Sequence, residues 1–290
     1  MNLIRKVRFQ VGYRLAWLAR KFSEAGYIQQ NSEFTGIGYI REYRENGEQS
    51  VVQFVASQYK MEKVSNSPAF CWVDVGANVG KYSDNVIRSF EGFAPGRSLS
   101  GYLFEPQKNA QLNENLAMWN KSYPNAHIDI HYCGAGSANE KKKIYVQRDN
   151  ESGTLASSMH EIISHHLNDE HIEEKEMNVV RLDTFFNEHQ VNQIHLLKID
   201  TEGYEKEVLE GCGAYLTPTK IRAIQFEFNY THAYRKQFLK DFHDLLHPKG
   251  YHLFRLNNNK WTPLTPYNPE QEIFQYQNIL AISSTLNPLN

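Results

Sequence analysis

Acidic side chains follow short apolar runs at several places in the sequence, and glycines accompany some of them. Asp74 stands two residues before Gly76, Glu105 ends a second apolar run, and Asp200 and Glu202 end a third. Carboxylates accept protons and hydrogen bonds, and a glycine lets a ligand come close to the backbone. This combination predicts a ligand site that also holds a general base.

The elements that would hold these residues are strands followed by helices. The apolar run 70–75 predicts a buried strand, Gly76 and Gly80 predict a tight turn, and residues 81–91 predict a helix. Further strands are predicted at 101–106, 127–133, 194–200 and 221–229, and further helices at 51–59, 107–123 and 238–246. The carboxyl ends of parallel strands line one crevice, so the acids are expected to face one ligand there.

Three ligand classes compete for the glycine turn. A phosphate-binding P-loop is strongly disfavoured, because only three residues separate Gly76 from Gly80 and Tyr82 follows Lys81. A dinucleotide fingerprint needs a glycine where Asn78 stands, which leaves nicotinamide binding open but disfavoured. The favoured ligand is S-adenosylmethionine, with Asp74 on its ammonium group and the amides of the turn on its carboxylate.

Two later features extend this interpretation. Glu105 would bind both ribose hydroxyls, a device that nicotinamide enzymes share, and Gly134 and Ala135 leave room for an adenine. The apolar runs 250–255 and 278–283 are joined without a helix, which predicts the antiparallel close of a methyltransferase sheet. Residues 141–147 alternate enough to predict a short strand, and residues 179–183 a short strand or edge segment.

Composition indicates a globular protein of the cytoplasm. Hydrophobic residues make up 41% of the chain, which suffices for a large core, and the net charge of −2 gives no general attraction to nucleic acid. The three cysteines are far apart in the sequence, which predicts reduced residues rather than a disulfide framework or zinc site. No apolar run approaches the length of a membrane span.

Two segments have more than one interpretation. Residues 1–22 carry an apolar stripe at helical spacing beside many basic residues. We favour a helix packed on this domain or on a second copy of the chain, with peripheral contact to anionic lipid at the inner membrane face as the alternative. Residues 149–176, rich in His and acids, predict a solvated loop or helix that covers the site. Their spacing matches no metal-ligand pattern.

The chain resembles the FkbM-type S-adenosylmethionine-dependent methyltransferases. The motifs that carry the resemblance are Val-Asp-Val-Gly-Ala-Asn-Val-Gly at 73–80, Phe-Glu-Pro at 104–106 and Leu-Lys-Ile-Asp-Thr-Glu-Gly-Tyr-Glu at 197–205. The resemblance implies a Rossmann-like class I methyltransferase fold. That fold has a seven-stranded, mostly parallel sheet with an antiparallel last strand and helices on both faces. Residues 1–60 would be an N-terminal helical extension and 61–290 the methyltransferase domain.

The resemblance also implies methyl transfer to a hydroxyl of a sugar, glycan or secondary metabolite. Carried over by position, the residues around the cofactor would be Asp74, Gly76, Ala77, Asn78, Gly80, Glu105, Gly134 and Ala135, with Asp200 beside the sulfonium. A nicotinamide oxidoreductase and a binding module that has lost turnover stay open as alternatives.

Proton removal from an aliphatic hydroxyl requires a base. Sheet topology brings four candidates toward the crevice, namely Asp200, Glu202, Glu227 and His232. His232 has the most suitable ordinary pKa, near 6.5. No metal is predicted, although Asp200, Glu227 and Asn229 together would offer the oxygen ligands that magnesium prefers.

Overall fold

The computed structural model of the chain describes residues 37–38, 45–61, 69–148, 156–257, 261–284 and 286. The strands are β1 (Phe70–Val75), β2 (Leu99–Phe104), β3 (Ala126–His131), β4 (Gly134–Ala135), β5 (Glu140–Gln147), β6 (Ala156–Ser157), β7 (Ile172–Val180), β8 (Ile194–Ile199), β9 (Ile221–Phe228), β10 (Tyr251–Arg255), β11 (Thr262–Pro263) and β12 (Gln277–Ser283). The α-helices are α1 (Glu48–Met61), α2 (Lys81–Phe93), α3 (Ala110–Ser122), α4 (His160–Ser164), α5 (Leu182–Glu188), α6 (Glu205–Gly211), α7 (Thr231–Tyr234) and α8 (Leu239–Leu246). The predicted helix over 1–22 lies outside the described residues.

The larger sheet has the strand order β11-β10-β12-β9-β8-β1-β2-β3. Strands β3, β2, β1, β8 and β9 are parallel, and β12 runs antiparallel to both β9 and β10. This is the predicted class I methyltransferase sheet of seven strands with a reversed last strand. The two-residue strand β11 is an eighth strand that the sequence did not predict.

Side chains of β1 alternate between the two faces of this sheet, as the period of two requires. Val73 and Val75 belong to one core cluster, together with residues of α5, α6 and α8. Phe70 and Trp72 belong to the other cluster, together with residues of α1, α2 and α3. Helices therefore cover both faces, and the central strand is buried along its whole length.

Helix α1 is part of the second cluster through Val51, Val52, Val55 and Ala56. It is the helix that the structure describes within the predicted N-terminal extension, and it packs directly on the methyltransferase core. The boundary near residue 60 stays a prediction.

A smaller sheet of order β4-β7-β5-β6 stands between β3 and β8 in the sequence. The prediction of a solvated loop or helix over 149–176 is wrong for its last part, which belongs to strand β7. The acids there pair across the sheet with the lysines of β5, as in Lys141–Glu176 and Lys143–Glu174 at 2.7 and 2.8 Å. The predicted short strand over 179–183 is wrong beyond Val180, because α5 begins at Leu182.

Candidate functional site

A cavity of about 850 Å³ opens at the carboxyl ends of β1, β2, β8 and β9. On one side of β1 the sheet continues with β2 and β3, and on the other side with β8 and β9, so the direction in which strands are added reverses between β1 and β8. Ligands of open parallel sheets bind beside such a reversal, and the volume is that of a small-molecule site. Residues of the smaller sheet, among them Ile144, Ser157 and Met177, form one wall of the cavity.

The glycine turn after β1 forms the floor of the cavity. Gly76 has φ +85°, and a β-carbon there would lie 1.8 Å from the backbone oxygen of Asp200. The amides of Gly76 and Ala77 both donate to the carbonyl of Phe104, at 2.9 and 3.1 Å. The sequence led us to expect that these amides would bind a ligand carboxylate. Because both are bonded to Phe104, they are not free to do so. Lys81, the first residue of α2, also lines the cavity.

Gly80, the second glycine of the turn, has a packing role in the structure. It lies outside the cavity lining, and a β-carbon on it would stand 2.6 Å from the ring of Trp119 and 2.9 Å from Leu112. The residue has φ +83° and stands directly before α2. The expectation that Gly80 faces the ligand is not met, because the turn directs it toward α3.

Asp74 is buried at the end of β1 and is 1% exposed. Ser83 Oγ donates to its Oδ2 at 2.7 Å, and Trp72 Nε1 donates to Ser83 Oγ at 3.1 Å. Burial raises the pKa of Asp74 to about 7, against the opposing effects of the Ser83 hydrogen bond and the charge of Lys198. Asp74 lines the cavity and has a fixed orientation.

Glu105 is held directly above the glycine turn. The amide of Asn78 donates to its Oε2 at 2.9 Å, and the amide of Gln107 donates to its Oε1 at 3.0 Å. Burial raises the pKa of Glu105 to about 7, although these two amides act in the opposite direction. Asn78 takes the left-handed conformation, with φ 49°, and its buried Oδ1 has no partner. Both residues line the cavity, and the carboxylate of Glu105 lies against the backbone of Asn78.

Gly134 and Ala135 also line the cavity, as strand β4 of the smaller sheet. They pair with Val179 and Val180, and neither has a side chain larger than a methyl group. The small size of both residues leaves room for a ring at this part of the cavity.

Three of the four predicted catalytic residues meet on the opposite wall. Asp200, Glu202 and Glu227 all line the cavity. Burial raises the pKa of each, and the charges of neighbouring acids raise those of Glu202 and Glu227 further, to about 8 for Glu202. Lys198 Nζ lies 3.4 Å from Asp200 Oδ2 and acts against the increase.

His232, the fourth candidate, does not face the cavity. It is 0% exposed, stacks on Phe228 at 4.5 Å, and its Nδ1 accepts from the amide of Asn229 at 3.2 Å. Its Nε2 lies 3.0 Å from Glu205 Oε2, a close approach without the alignment of a regular hydrogen bond. Although burial acts to raise it, the pKa of Glu205 is lowered by His232 and by the amide of Thr201. The turn after β9 directs His232 under α6 instead of into the crevice.

Two of the three residues that could offer oxygen ligands to magnesium, Glu227 and Asn229, are arranged for hydrogen bonding. Asn229 Oδ1 accepts from the amide and the hydroxyl of Thr231, at 2.8 and 2.6 Å, and its amide nitrogen donates to Glu227. Asn229 therefore presents a donor, not an oxygen, to the carboxylate. Within the described ranges, no group of three or more His, Cys, Asp or Glu side chains is arranged to hold a metal ion.

Sequence reasoning missed several residues of the cavity lining. Lys198 and Glu48 meet at its base, Tyr276 lies beside them, and Tyr230 contacts His166 at the wall formed by the loop after α4. A lysine within an apolar strand was the one available signal, and the remaining contacts join residues far apart in the sequence.

The chain is similar to known methyltransferases in sequence and in fold. A family profile described as the methyltransferase FkbM domain matches residues 74–253. A search of curated proteins found no match. Among solved structures, the FkbM methyltransferase of Methylobacillus flagellatus is similar at 14% identity and a TM-score of 0.47, over 89% of this chain and 50% of that one. The chain thus spans about half the length of that protein.

Two further solved structures have lower scores. The precorrin-6y C5,15-methyltransferase of Geobacter metallireducens has 9% identity and a TM-score of 0.36, with 81% of this chain and 88% of that chain covered. An S-adenosylmethionine-dependent methyltransferase of Agrobacterium tumefaciens has 10% identity and a TM-score of 0.40, with 86% and 68% covered.

The sheet order and the cavity at its reversal define a class I methyltransferase fold. The family match extends over more than half of the sequence, and the chain belongs to the FkbM methyltransferase family. Among the described residues, no helix is both long and apolar enough to cross a lipid bilayer.

Proposed function

We propose that this protein is an S-adenosylmethionine-dependent O-methyltransferase acting on a hydroxyl of a sugar, glycan or secondary metabolite. The observation that carries the proposal is the cavity at the sheet reversal. It joins the Asn78–Glu105 pair on one wall to the carboxylates Asp200, Glu202 and Glu227 on the other.

The residues present fit the cofactor. Glu105 would accept hydrogen bonds from both ribose hydroxyls, because its carboxylate is already oriented by two amides. Asn78 Oδ1 is a buried acceptor without a partner, which a ligand donor would satisfy. Asp74 would attract the ammonium group, and Lys81 rather than the turn amides would attract the carboxylate. When bound, the cofactor supplies a methyl group that a sulfonium makes electrophilic.

The acceptor side is suited to a compound with several hydroxyl groups. Carboxylates accept hydrogen bonds from hydroxyls, and the ring of Tyr230 on the same wall offers a flat apolar surface. Asp200 is our first choice for the base. Its side chain is 36% exposed, and the ammonium of Lys198 favours its ionised form. Glu202, with a pKa of about 8, holds its proton at neutral pH.

The test of cofactor use is calorimetry of the full chain with S-adenosylhomocysteine, with NADH as the competing ligand. We expect binding of the first and none of the second. Replacing Glu105 with Ala should reduce affinity by about 2 kcal/mol, from the loss of charge-assisted hydrogen bonds. Exposed Glu114 in α3 provides the matched control, Glu114→Ala, with unchanged affinity. NADH binding without S-adenosylhomocysteine binding would instead favour an oxidoreductase.

The test of turnover is transfer of a radioactive methyl group to a panel of glycosides and phenols. We expect the Asp200→Asn variant to bind S-adenosylhomocysteine normally and to lose about 10²–10⁴ in single-turnover rate. Normal cofactor binding without transfer to any hydroxyl compound would favour the binding-module alternative. Loss of activity in EDTA, restored by magnesium, would contradict the prediction that no metal is needed.

A further inference from the structure

We propose that Lys198 is a positioning residue of the methyl-transfer site, which holds the carboxylate of Asp200 and favours its ionised form, and that Glu48 in α1 sets the strength of this effect. The catalytic meaning of this inference rests on the function proposed above. The contacts that carry it do not depend on that function.

Lys198 occupies an unusual position for a cation. It lies in β8, where every residue is buried, and it is 1% exposed. Among the residues that the structure describes, it is the one lysine that is buried. Lys198 and Asp200 are two residues apart, and side chains at that spacing point to the same side of an extended chain. Both residues line the cavity.

Oxygen atoms surround the ammonium group. Its Nζ lies 3.0 Å from Glu48 Oε1, 3.4 Å from Asn278 Oδ1 and 3.4 Å from Asp200 Oδ2. An ammonium group has three hydrogens, so these three oxygens match its capacity. The ring of Tyr82 lies on a further side, with its centroid 5.5 Å from Nζ.

Glu48 is fixed in turn by its own partners. Gln225 Nε2 donates to Glu48 Oε1 at 3.0 Å, and Tyr82 Oη donates to Gln225 Oε1 at 2.9 Å. The ammonium group of Lys198 therefore lies between the carboxylates of Glu48 and Asp200. The distance from Lys198 to each carboxylate depends on this arrangement.

A purely structural role is the competing explanation, since a buried ion pair can join α1 to the sheet. Burying an ion pair costs desolvation energy, however, and well-packed apolar residues often replace one without loss of stability. The two explanations differ in what they predict for the pKa of Asp200.

Titratable groups near Asp200 come from every surrounding element. They are Glu48 of α1, Asp74 of β1, Tyr82 of α2, Lys198 of β8, Glu202 of the following turn, Glu205 of α6, Glu227 of β9 and Tyr276 before β12.

All of these except Lys198 are acids or phenols, so removing the cation and removing Glu48 should have opposite effects. In the Lys198→Met variant Asp200 loses its counter-charge, and its pKa should increase. In the Glu48→Gln variant a neighbouring negative charge disappears while Lys198 stays, and the pKa of Asp200 should decrease. The Lys198→Arg variant keeps the charge and is the conservative control.

The experiment is a pH titration of the full chain labelled with ¹³C at its aspartate carboxyls. The Asp200 signal is identified by its absence in the Asp200→Asn variant. We expect the Asp200 midpoint to rise by about 1–3 pH units in Lys198→Met, as for loss of an opposite charge within 4–6 Å. It should fall in Glu48→Gln and stay near the wild-type value in Lys198→Arg. Wild-type midpoints in both Lys198→Met and Glu48→Gln would overturn the inference.

Two measurements separate this inference from the function proposed above. Calorimetry with S-adenosylhomocysteine on the same samples tests the function. Absence of binding would contradict the proposed function, but the titration would still test the role of Lys198. Normal binding with unshifted Asp200 midpoints would contradict only the role of Lys198. Circular dichroism checks folding. If Lys198→Met does not fold, the downward shift in Glu48→Gln decides, and its absence overturns the inference.

Discussion

Gly76 and Asp200 meet backbone to backbone at the floor of the cavity. A β-carbon on Gly76 would lie 1.8 Å from the carbonyl oxygen of Asp200, and φ at Gly76 is +85°. The amide of Asp200 donates to the carbonyl of Val75 at 2.8 Å, which fixes the two strand ends against each other. The glycine is required by its contact with the neighbouring strand as well as by its conformation.

We therefore expect the Gly76→Ala variant to lose S-adenosylhomocysteine binding and at least about 2 kcal/mol of unfolding free energy, because strain and overpacking add. The matched control is Gly92→Ala in α2, where no atom lies within 4 Å of the added β-carbon. It should bind normally and gain about 0.5–1 kcal/mol from helix propensity. Normal binding by Gly76→Ala would contradict the described contact.

Cofactor affinity should depend on pH through Glu105 and Asp74. Burial raises the pKa of each to about 7, and the ligand groups that we assign to them prefer the ionised carboxylates. Binding then releases protons, so affinity should increase with pH between 6 and 8, by up to about tenfold per pH unit for each carboxylate below its pKa. The measurement is calorimetry in buffers of different ionisation enthalpy. In Glu105→Gln the slope should be smaller, and affinity that is constant over this range would refute the assignment.

Asp74 should lower the stability of the ligand-free protein above neutral pH. Its pKa is raised from 3.8 to about 7, so the folded state binds this proton more tightly than the unfolded chain. Stability from this group is thus greatest below 3.8 and is lost as pH rises to about 7, by about 4 kcal/mol at 1.36 kcal/mol per unit. Asp74→Asn should melt at a higher temperature than wild type at pH 8, and the difference should shrink at low pH.

The same variant should bind S-adenosylhomocysteine more weakly, because its amide cannot replace the charge. Exposed Asp129 in β3 provides the control, and Asp129→Asn should change neither melting nor affinity. A lower melting temperature for Asp74→Asn than for wild type at pH 8 would contradict the prediction that ionised Asp74 destabilises the ligand-free protein.

His232 should matter for stability more than for chemistry. We expect His232→Leu to lower the free energy of unfolding by about 1–3 kcal/mol, because Glu205 loses a buried partner. Its folded fraction should transfer methyl groups at nearly the wild-type rate, with an acceptor from the panel described above. Thermal melting and single-turnover kinetics measure both. Normal folding with a rate as low as that of Asp200→Asn would return His232 to the list of bases.

The elements and the cofactor side of the site could be predicted because their signals are local. Apolar runs that end in an acid or a glycine located β1, β2 and β8, and parallel topology then brought Asp74, Glu105 and Asp200 to one cavity. The resemblance to the FkbM family is confirmed by the profile match over 74–253. Roles of individual residues stay predictions until they are tested.

The direction of side chains after a strand end could not be predicted in the same way. The sequence predicted that His232 lies near the crevice. The turn after Phe228 instead directs its side chain toward Glu205 at the start of α6. Contacts across long separations left no local signal either. Glu48 and Lys198 are 150 residues apart, and two-residue strands such as β4 are too short for any period.

The position of β8 in the sheet has a consequence for synthesis of the chain. Strand β1 lies between β2 and β8, yet β1 and β8 are far apart in the sequence: the hydrogen bond from the Cys71 amide to His195 Nδ1 joins residues 124 apart. A ribosome makes β1, β2 and β3 and then the whole smaller sheet before β8 emerges. During that interval one edge of an apolar central strand has no partner, which is a hazard for aggregation. We expect slow, late closure of the sheet, with arrested or truncated chains that end before residue 194 collecting as insoluble material.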